Sequence, residues 1–364
     1  MKIKIVRSKF LDGLKKVQNI VASKGSLQII QNVLLEAKDK QLYLTTTDLD
    51  ISIRSVVACE VVNEGATTLP AKLLSESIAK VAEGMVEIET DADDKAVISA
   101  GSAVFNIAGM NVADFPQLPQ DSDSFAYSMD QMTLREMLRK TSYAASKDDT
   151  RKTLKGVLMS FQNGKLTMVA TDGRRLALVE HEVEFPNDQN KDIVLPTKVV
   201  SELQRSLSSD GSVNVTVEKS QVAFNLGDTQ IYSKLIDDVY PNYRQVIPGA
   251  CNERVTVERK ALLDALDRVS IMTMDESNST RLTFEANRLT VASTAADVGA
   301  ARDTVPIKYD GNTIEIVFNP QFVMDPLKAI DEDEIFIELN NGTSPALIKC
   351  SVPFLYVMMP LRTN

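Results

Sequence analysis

The 364-residue sequence contains no tryptophan, and aromatic residues make up only 5% of it, which excludes an aromatic-rich binding surface. It has one histidine, His181, set between Glu180 and Glu182. With no cysteine or second histidine at ligand spacing, that residue reads as structural rather than metal-binding. Three cysteines, Cys59, Cys251 and Cys350, are odd in number, far apart and without any CxxC pair. They read as reduced thiols of a cytoplasmic protein. The basic start, Met1–Phe10, is not followed by the apolar stretch of a signal peptide, and no apolar run is long enough to span a bilayer. Asn278-Ser-Thr and Asn341-Gly-Thr fit the glycosylation sequon, but without a secretory signal they count as chance. GxGxxG, GxxxxGK[ST] and GxSxG are all missing, and so is any nucleophile–base set. The acidic groups Asp91-Ala-Asp93, Asp121-Ser-Asp123 and Asp331 to Glu334 fall in turn-like polar stretches and read as solvated hairpin tips. The chain does not read as an enzyme. Its net charge of −10, taken alone, argues against a phosphate-rich partner.

What the sequence does have is repetition. "LPAKLLSESI" at 69–78 returns as "LPTKVVSELQ" at 195–204, placing Pro70 and Pro196 126 residues apart. Pro320, in "FNPQFVMDPLKAI", follows after 124 more. Helical spacing precedes each proline: Phe10, Leu14, Val17 and Val21; Leu134, Leu138, Thr141 and Ala145; Leu262, Ala265, Leu266 and Val269. Asp48, Asp172 and Asp297 precede the same prolines by 22, 24 and 23 residues. Independent markers keep one period, so the chain is a threefold repeat of roughly 120 residues.

Between the helices the residues alternate as in strands. Hairpin turns are predicted at Lys38-Asp39-Lys40, at Asn163-Gly164 and around Asn287. "TDGRRLAL" reads as a turn and not as a phosphate loop, because one glycine among strand residues does not make an anion cradle. Each repeat is predicted to run strand, helix, hairpins, helix, hairpins, and the spacing of its helices suggests two similar halves. The fold class is α+β, three domains with two helices each. Linkers are predicted at 115–124 and 247–252.

Charge counted by element no longer argues against phosphate. The helical windows 9–24, 72–83, 130–147, 197–207, 258–272 and 320–331 carry +3, 0, +2, +1, 0 and −1, leaving −15 for everything else. Helices that face one way would give the protein a basic side, and an acidic remainder does not forbid sequence-independent nucleic-acid binding. At the other end of the chain, Met359-Pro360-Leu361 lies where a strand does not comfortably continue. That apolar tail either caps a core or lines a site that partners fill, a role to which a flexible thioether is suited.

The motifs "NVLLEA", "GATTLPAK", "ADFPQLP", "LKGVLMSF", "VATDGRRLAL", "LPTKVVSEL", "VYPNYRQVIP" and "YVMMPLR", in order and over the whole chain, resemble the bacterial DNA polymerase III beta subunit, the sliding-clamp family. The resemblance implies three clamp domains, 1–121, 122–249 and 250–364, each with two helices packed on antiparallel sheets. It implies a head-to-tail dimer that closes a ring, with helices lining the central hole. Such a ring encircles duplex DNA and tethers polymerase without catalysis, cofactor or metal. Carried over residue by residue, DNA contacts fall on Lys24, Lys72, Lys152 and Lys198. A peptide-binding cleft falls on Leu154, Thr171, Gly173, Arg175, Leu176, Pro241, Val246, Phe322, Pro345, Met359, Pro360, Leu361 and Arg362. Dimer contacts fall on Phe105, Ile107, Ile271 and Met272. Implied partners are a second copy, double-stranded DNA, the polymerase alpha subunit, the clamp loader complex, and translesion polymerases, ligase and mismatch-repair proteins. No membrane is involved. The chain departs from the family pattern at Arg174, where His is common, and at Leu361, where Met is common. It departs again at Lys152-Thr153, where relatives carry aromatic residues, and at the Thr363-Asn364 extension.

Overall fold

The computed structural model describes residues 1–21, 27–91, 93–118, 125–183, 190–273, 279–295 and 299–362. Lys24, Asp297 and Thr363-Asn364 lie outside the described residues.

The hairpins close where the sequence predicts. Asp39 and Lys40 (φ 51° and 62°), Asn163 and Gly164 (54° and 72°), and Asn287 (57°) take the left-handed conformation that a tight turn between right-twisted strands requires. The strands they join belong to six successive modules of one pattern: strand, helix, three strands.

The first module is Lys2–Val6 (β1), Arg7–Val17 (α1), Asn32–Lys38 (β2), Gln41–Thr47 (β3) and Ile51–Ala58 (β4), followed by an extra strand, Glu60–Asn63 (β5). The second is Gly65–Pro70 (β6), Ala71–Lys80 (α2), Met85–Thr90 (β7), Lys95–Ala100 (β8) and Ala103–Ala108 (β9). The third is Phe125–Asp130 (β10), Gln131–Thr141 (α3), Gly156–Gln162 (β11), Lys165–Thr171 (β12) and Arg175–Glu182 (β13). The fourth is Lys191–Pro196 (β14), Thr197–Ser206 (α4), Ser212–Val217 (β15), Gln221–Asn225 (β16) and Thr229–Lys234 (β17). The fifth is Glu253–Glu258 (β18), Arg259–Ser270 (α5), Thr280–Glu285 (β19), Arg288–Ala295 (β20) and Gly299–Lys308 (β21). The sixth is Ile314–Phe318 (β22), Pro320–Ala329 (α6), Glu334–Leu339 (β23), Ala346–Lys349 (β24) and Phe354–Met358 (β25). Each predicted repeat is therefore two similar halves.

The repeated proline has a physical reason. β6, β14 and β22 are all edge strands of their sheets, where a missing N–H leaves no ladder bond unmade. Pro70 and Pro196 end their strands and Pro320 opens α6, where the fixed φ suits the start of a helix.

The helices are shorter than the predicted windows. α1 ends at Val17 and passes into a 3-10 turn, Gln18–Ile20, so Val21 is not helical. α3 ends at Thr141, whose hydroxyl donates back to the Met137 carbonyl (2.8 Å), and Ala145 and Lys147 fall beyond it. α2 and α6 stop at Lys80 and Ala329, before Glu83 and Asp331. The six helices, α1 to α6, accordingly carry +3, +1, +2, +1, +1 and 0, or +8 together. Against −10 for the chain, −18 is left for strands and loops.

The chain divides into two compact units. One comprises Met1–Leu134 with Ser201–Leu235. It holds the sheets β5-β1-β7-β8-β9 and β10-β15-β16-β17-β4-β3-β2-β6, all antiparallel where paired. Phe10, Leu11, Leu14 and Val17 of α1 are buried in it. Gly13 lets that helix approach, since a Cβ there would come within 2.6 Å of Val57 and 2.7 Å of Leu44. The other unit comprises Arg135–Val200 with Ile236–Asn364. Its sheet runs β14-β11-β12-β13-β25-β24-β23-β18-β21-β20-β19-β22, and β13 pairs with β25 from Arg175↔Met358 to Val179↔Phe354. Among the described residues, no helix is long and apolar enough to cross a membrane, and no three His, Cys, Asp or Glu side chains gather as a metal would need.

Candidate peptide cleft and nucleic-acid face

The cleft begins at the turn between β12 and β13. Thr171 donates its hydroxyl to the Arg175 carbonyl (2.6 Å) and accepts from the Gly173 N–H (3.1 Å). Asp172 Oδ1 accepts from the N–H groups of Arg174 (2.9 Å) and Arg175 (3.0 Å), with Gly173 at φ 84°. The same turn recurs after β3. There Thr47 donates to Ile51, Leu49 takes φ 78°, and Asp48 Oδ1 accepts from Asp50 and Ile51. Asp48 and Asp172, two of the aspartates that mark the repeat in the sequence, are thus side-chain braces of a strand-connecting turn.

Arg175, expected among the cleft residues, is only 8% exposed. Its Nε donates to Asp172 (3.1 Å), one terminal nitrogen to Asp325 of α6, and the other to the Tyr143 carbonyl (2.7 Å). The guanidinium lies over the Phe322 ring, 4.6 Å from its centroid. Burial alone would lower its pKa. The neighbouring Tyr356 and the Asp325 carboxylate outweigh that, so the pKa is raised and the group stays charged. Arg175 is a post that joins the turn to α6.

α6 has its own irregularity. Pro326 lies inside the helix and has no N–H for the carbonyl of Phe322, four residues earlier. The hydroxyl of Tyr356, on β25, donates to that carbonyl at 2.8 Å. Phe322 and Asp325 are therefore held from the sheet as well as from the helix.

Leu176 and its strand partner Val357 are buried in one cluster with Leu158, Val169, Val194, Tyr243 and Leu347, against which Tyr240 and Ile247 pack. This brings the 240–247 segment onto the sheet and sets the expected Pro241 and Val246 beside it, both exposed. Met359, 42% exposed, donates its N–H to the Arg174 carbonyl (2.9 Å), and Leu361 donates to Val317 (2.8 Å). These two bonds tie the tail to the β12–β13 turn and to β22. Pro360 and Leu361 are half-buried and Arg362 is exposed. Pro345 is half-buried beside Ala346, which pairs with Met358. Leu154 is half-buried in a 3-10 turn, Lys152–Lys155, and its carbonyl accepts from the Ser146 N–H (2.8 Å).

The expected cleft residues thus gather on one side of one unit, with Thr171 and Leu176 as buried floor. Asp172, Tyr143, Tyr243, Asp325 and Tyr356 also build the site and were not predicted for it. Asp172 had a signal as a repeat marker. Asp325, one acid on a helix, had none. A cavity of about 510 Å³ adjoins the site, lined by Leu178, Tyr243, Arg244, Ile247, Phe354 and Leu355 among others.

Of the expected DNA contacts, Lys72 and Lys198 are exposed in the first turns of α2 and α4, and Lys152 is exposed in its 3-10 turn. Lys24 lies outside the described residues. Lys9, Lys15 and Lys16 of α1 are also exposed, and Lys16 pairs with Asp228 (2.6 Å). Of the expected dimer contacts, Ile271 is 73% exposed and Met272 half-buried at the end of α5. On β9, Phe105 is half-buried, but Ile107 is 5% exposed, committed to its own domain's core. Val104, 58% exposed on the other face, is an apolar group that sequence reasoning missed.

Comparison with known proteins places the whole chain. Models of the DNA polymerase III beta subunit match in order: the N-terminal domain over 1–119, the central domain over 128–242 and the C-terminal domain over 244–362. The beta sliding clamps of Chlamydia muridarum and Synechococcus elongatus are 31% and 33% identical, each covering 100% of this chain, with 100% and 99% of their own length matched. The crystal structure of the Bacillus subtilis DNA polymerase sliding clamp, 27% identical, is similar over 100% of both chains with a TM-score of 0.96. With all three domain models matched in order and curated relatives aligned over its whole length, the chain belongs to the DNA polymerase III beta subunit family, the non-catalytic sliding clamps of the replicative polymerase.

Proposed function

We propose that this chain confers processivity by topology: two copies close head to tail around duplex DNA, slide along it, and present their clefts to polymerase. The observation that carries this reading is the end-to-end likeness to solved sliding clamps. The three domains are assigned to 1–121, 122–249 and 250–364. Two unlike free edges suit a head-to-tail contact. β9 ends its sheet, and β21 meets β18 only through Thr256↔Lys308 and Val257↔Ile307, leaving its first half unpaired on that side. Phe105, Ile271 and Met272 are the assigned contacts, with Val104 taking the place of the expected Ile107, which its own core buries. An interface of this heterologous kind closes when its rotation does.

The charge split suits sliding. The +8 on helices attracts phosphate without reading bases, and −18 elsewhere repels DNA from the remaining surface. Lys24, Lys72, Lys152 and Lys198 are assigned to this contact. The cleft receives short Gln- and Leu/Phe-rich tails: those of the polymerase alpha subunit and the clamp loader, and those of translesion polymerases, ligase and mismatch-repair proteins. The proposed setting is the cytoplasm.

The test compares retention on a nicked circle, loaded by the clamp loader, before and after one restriction cut. Free protein should bind linear duplex weakly, and with about four phosphate contacts a rise from 50 to 200 mM salt should weaken that binding roughly 100-fold. The loaded ring should survive the same salt until the circle is cut. Equal retention on cut and uncut circles would refute the topological mechanism.

A further inference from the structure

Several guanidinium groups in the unit that holds the cleft are neutralised. Arg139, Arg175, Arg268, Arg281 and Arg288 each meet a carboxylate. The acids beside the cleft are similarly committed: Asp172 and Asp325 to Arg175, and Asp238 to the Thr153 hydroxyl and the Val239 N–H. Asp237 is the acid of that segment left without a partner among the described residues. Yet Arg174, Arg244 and Arg362, all exposed, have no carboxylate partner among the described residues.

Their positions follow from the backbone. The carbonyl of Arg174 holds the Met359 N–H, and Arg362 lies three residues further along that tail. Arg244 stands two residues before Val246, its guanidinium over the Tyr243 ring at 4.9 Å, where it also lines the adjoining cavity. Tyr243 in turn belongs to the buried cluster of Leu176 and Val357. Three positive groups without a carboxylate partner among the described residues therefore border one apolar surface, and Glu180, which lines the cavity with Arg244, is paired with Lys165, in a chain whose net charge is −10.

We propose that this cleft selects peptides whose apolar anchor residues are flanked by aspartate or glutamate, with Arg174 and Arg362 reading the flank and Arg244 extending it toward the cavity. The inference rests on the cleft reading above. A planar guanidinium suits a carboxylate better than an ammonium does, because two parallel N–H groups meet two oxygens. At an exposed rim each such contact should strengthen binding roughly two- to fivefold at low salt.

The experiment uses the full chain and two fluorescent synthetic peptides sharing one Gln- and Leu/Phe-rich core, one flanked by three Asp and the other by three Asn. In 50 mM salt the Asp-flanked peptide should bind several-fold tighter by anisotropy, and the gap should close at 500 mM. Arg174→Gln, which lies outside the assigned cleft residues, should narrow the gap without weakening Asn-flanked binding, and adding Arg362→Gln should bring Asp-flanked binding down to that of the Asn-flanked peptide in the same variant, with the melting temperature unchanged, since both side chains are exposed. Equal binding of the two peptides to the wild type would overturn this inference alone. A gap that persists in the double variant would overturn the assignment to these arginines. Failure of both peptides to bind the wild type would overturn the cleft reading and this inference together.

Discussion

Replacing Tyr356 by Phe removes one oxygen from a side chain that is fully buried and leaves its ring against Tyr143, 5.9 Å away. What is lost is the 2.8 Å bond to the Phe322 carbonyl, an acceptor that Pro326 cannot satisfy. A net hydrogen bond contributes about 0.5–1.5 kcal/mol, and a carbonyl left dry costs about 1–3 kcal/mol. Phe322 is half-buried, so water can reach part of the vacated site, and a loss of about 1–2 kcal/mol is expected. For a unit of this size that is a fall of about 2–8 °C in the corresponding transition. Pro326→Ala supplies a backbone N–H facing the same carbonyl. In that background Tyr356→Phe should therefore lose less than half as much, a coupling that a double-mutant cycle measures directly. Calorimetry should be joined to hydrogen exchange of α6, because a chain of two compact units need not unfold in one step. Peptide affinity should fall with the same substitution, since α6 carries Phe322 and Asp325. Equal losses in the two backgrounds, or none in the wild type, would refute the idea that Tyr356 replaces the missing helix donor.

Deleting residues 360–364 should abolish binding of a polymerase-tail peptide while moving the melting temperature by only a few degrees, since the described tail residues, 360–362, are half-buried or exposed and Leu361 makes one backbone bond, to Val317. Unfolding of the C-terminal domain would make the tail a core element instead. Ile271→Asp with Met272→Asp should give folded monomers by sedimentation, and Val104→Asp on the opposite edge should do the same. A wild-type chain already monomeric at micromolar concentration would contradict the ring. Asp331 and Asp303 are held below the ordinary value of 3.8 by hydrogen bonds from Arg139 and Arg268. Their stabilisation is present above 3.8 and lost as pH falls through the lower folded-state values, so the melting temperature should drop in that window. Asp331→Asn should make the drop shallower, and an unchanged slope would discount the Arg139 pair.

By itself, the sequence determined the period, the elements and their order. Alternation and helical spacing are local properties, and the markers report places where a missing N–H does no harm: Pro70 and Pro196 end edge strands, and Pro320 opens a helix just after one. Turn chemistry was equally local, as Asp39-Lys40 and Asn163-Gly164 show. Helix ends were less legible, because α1 and α3 pass into 3-10 turns whose residues keep the same apolar spacing. The resemblance located a cleft, but not what holds it together. Which acid meets Arg175, which hydroxyl serves Phe322, and whether Ile107 faces a partner or its own core depend on residues 150, 34 and about 10 positions apart coming together. Such meetings leave no pattern in a single sequence, since Asp325 reads like any helix acid until α6 packs on the sheet. Only the tertiary structure made Arg175 a buried post and left its neighbour Arg174 as the charge a ligand can reach.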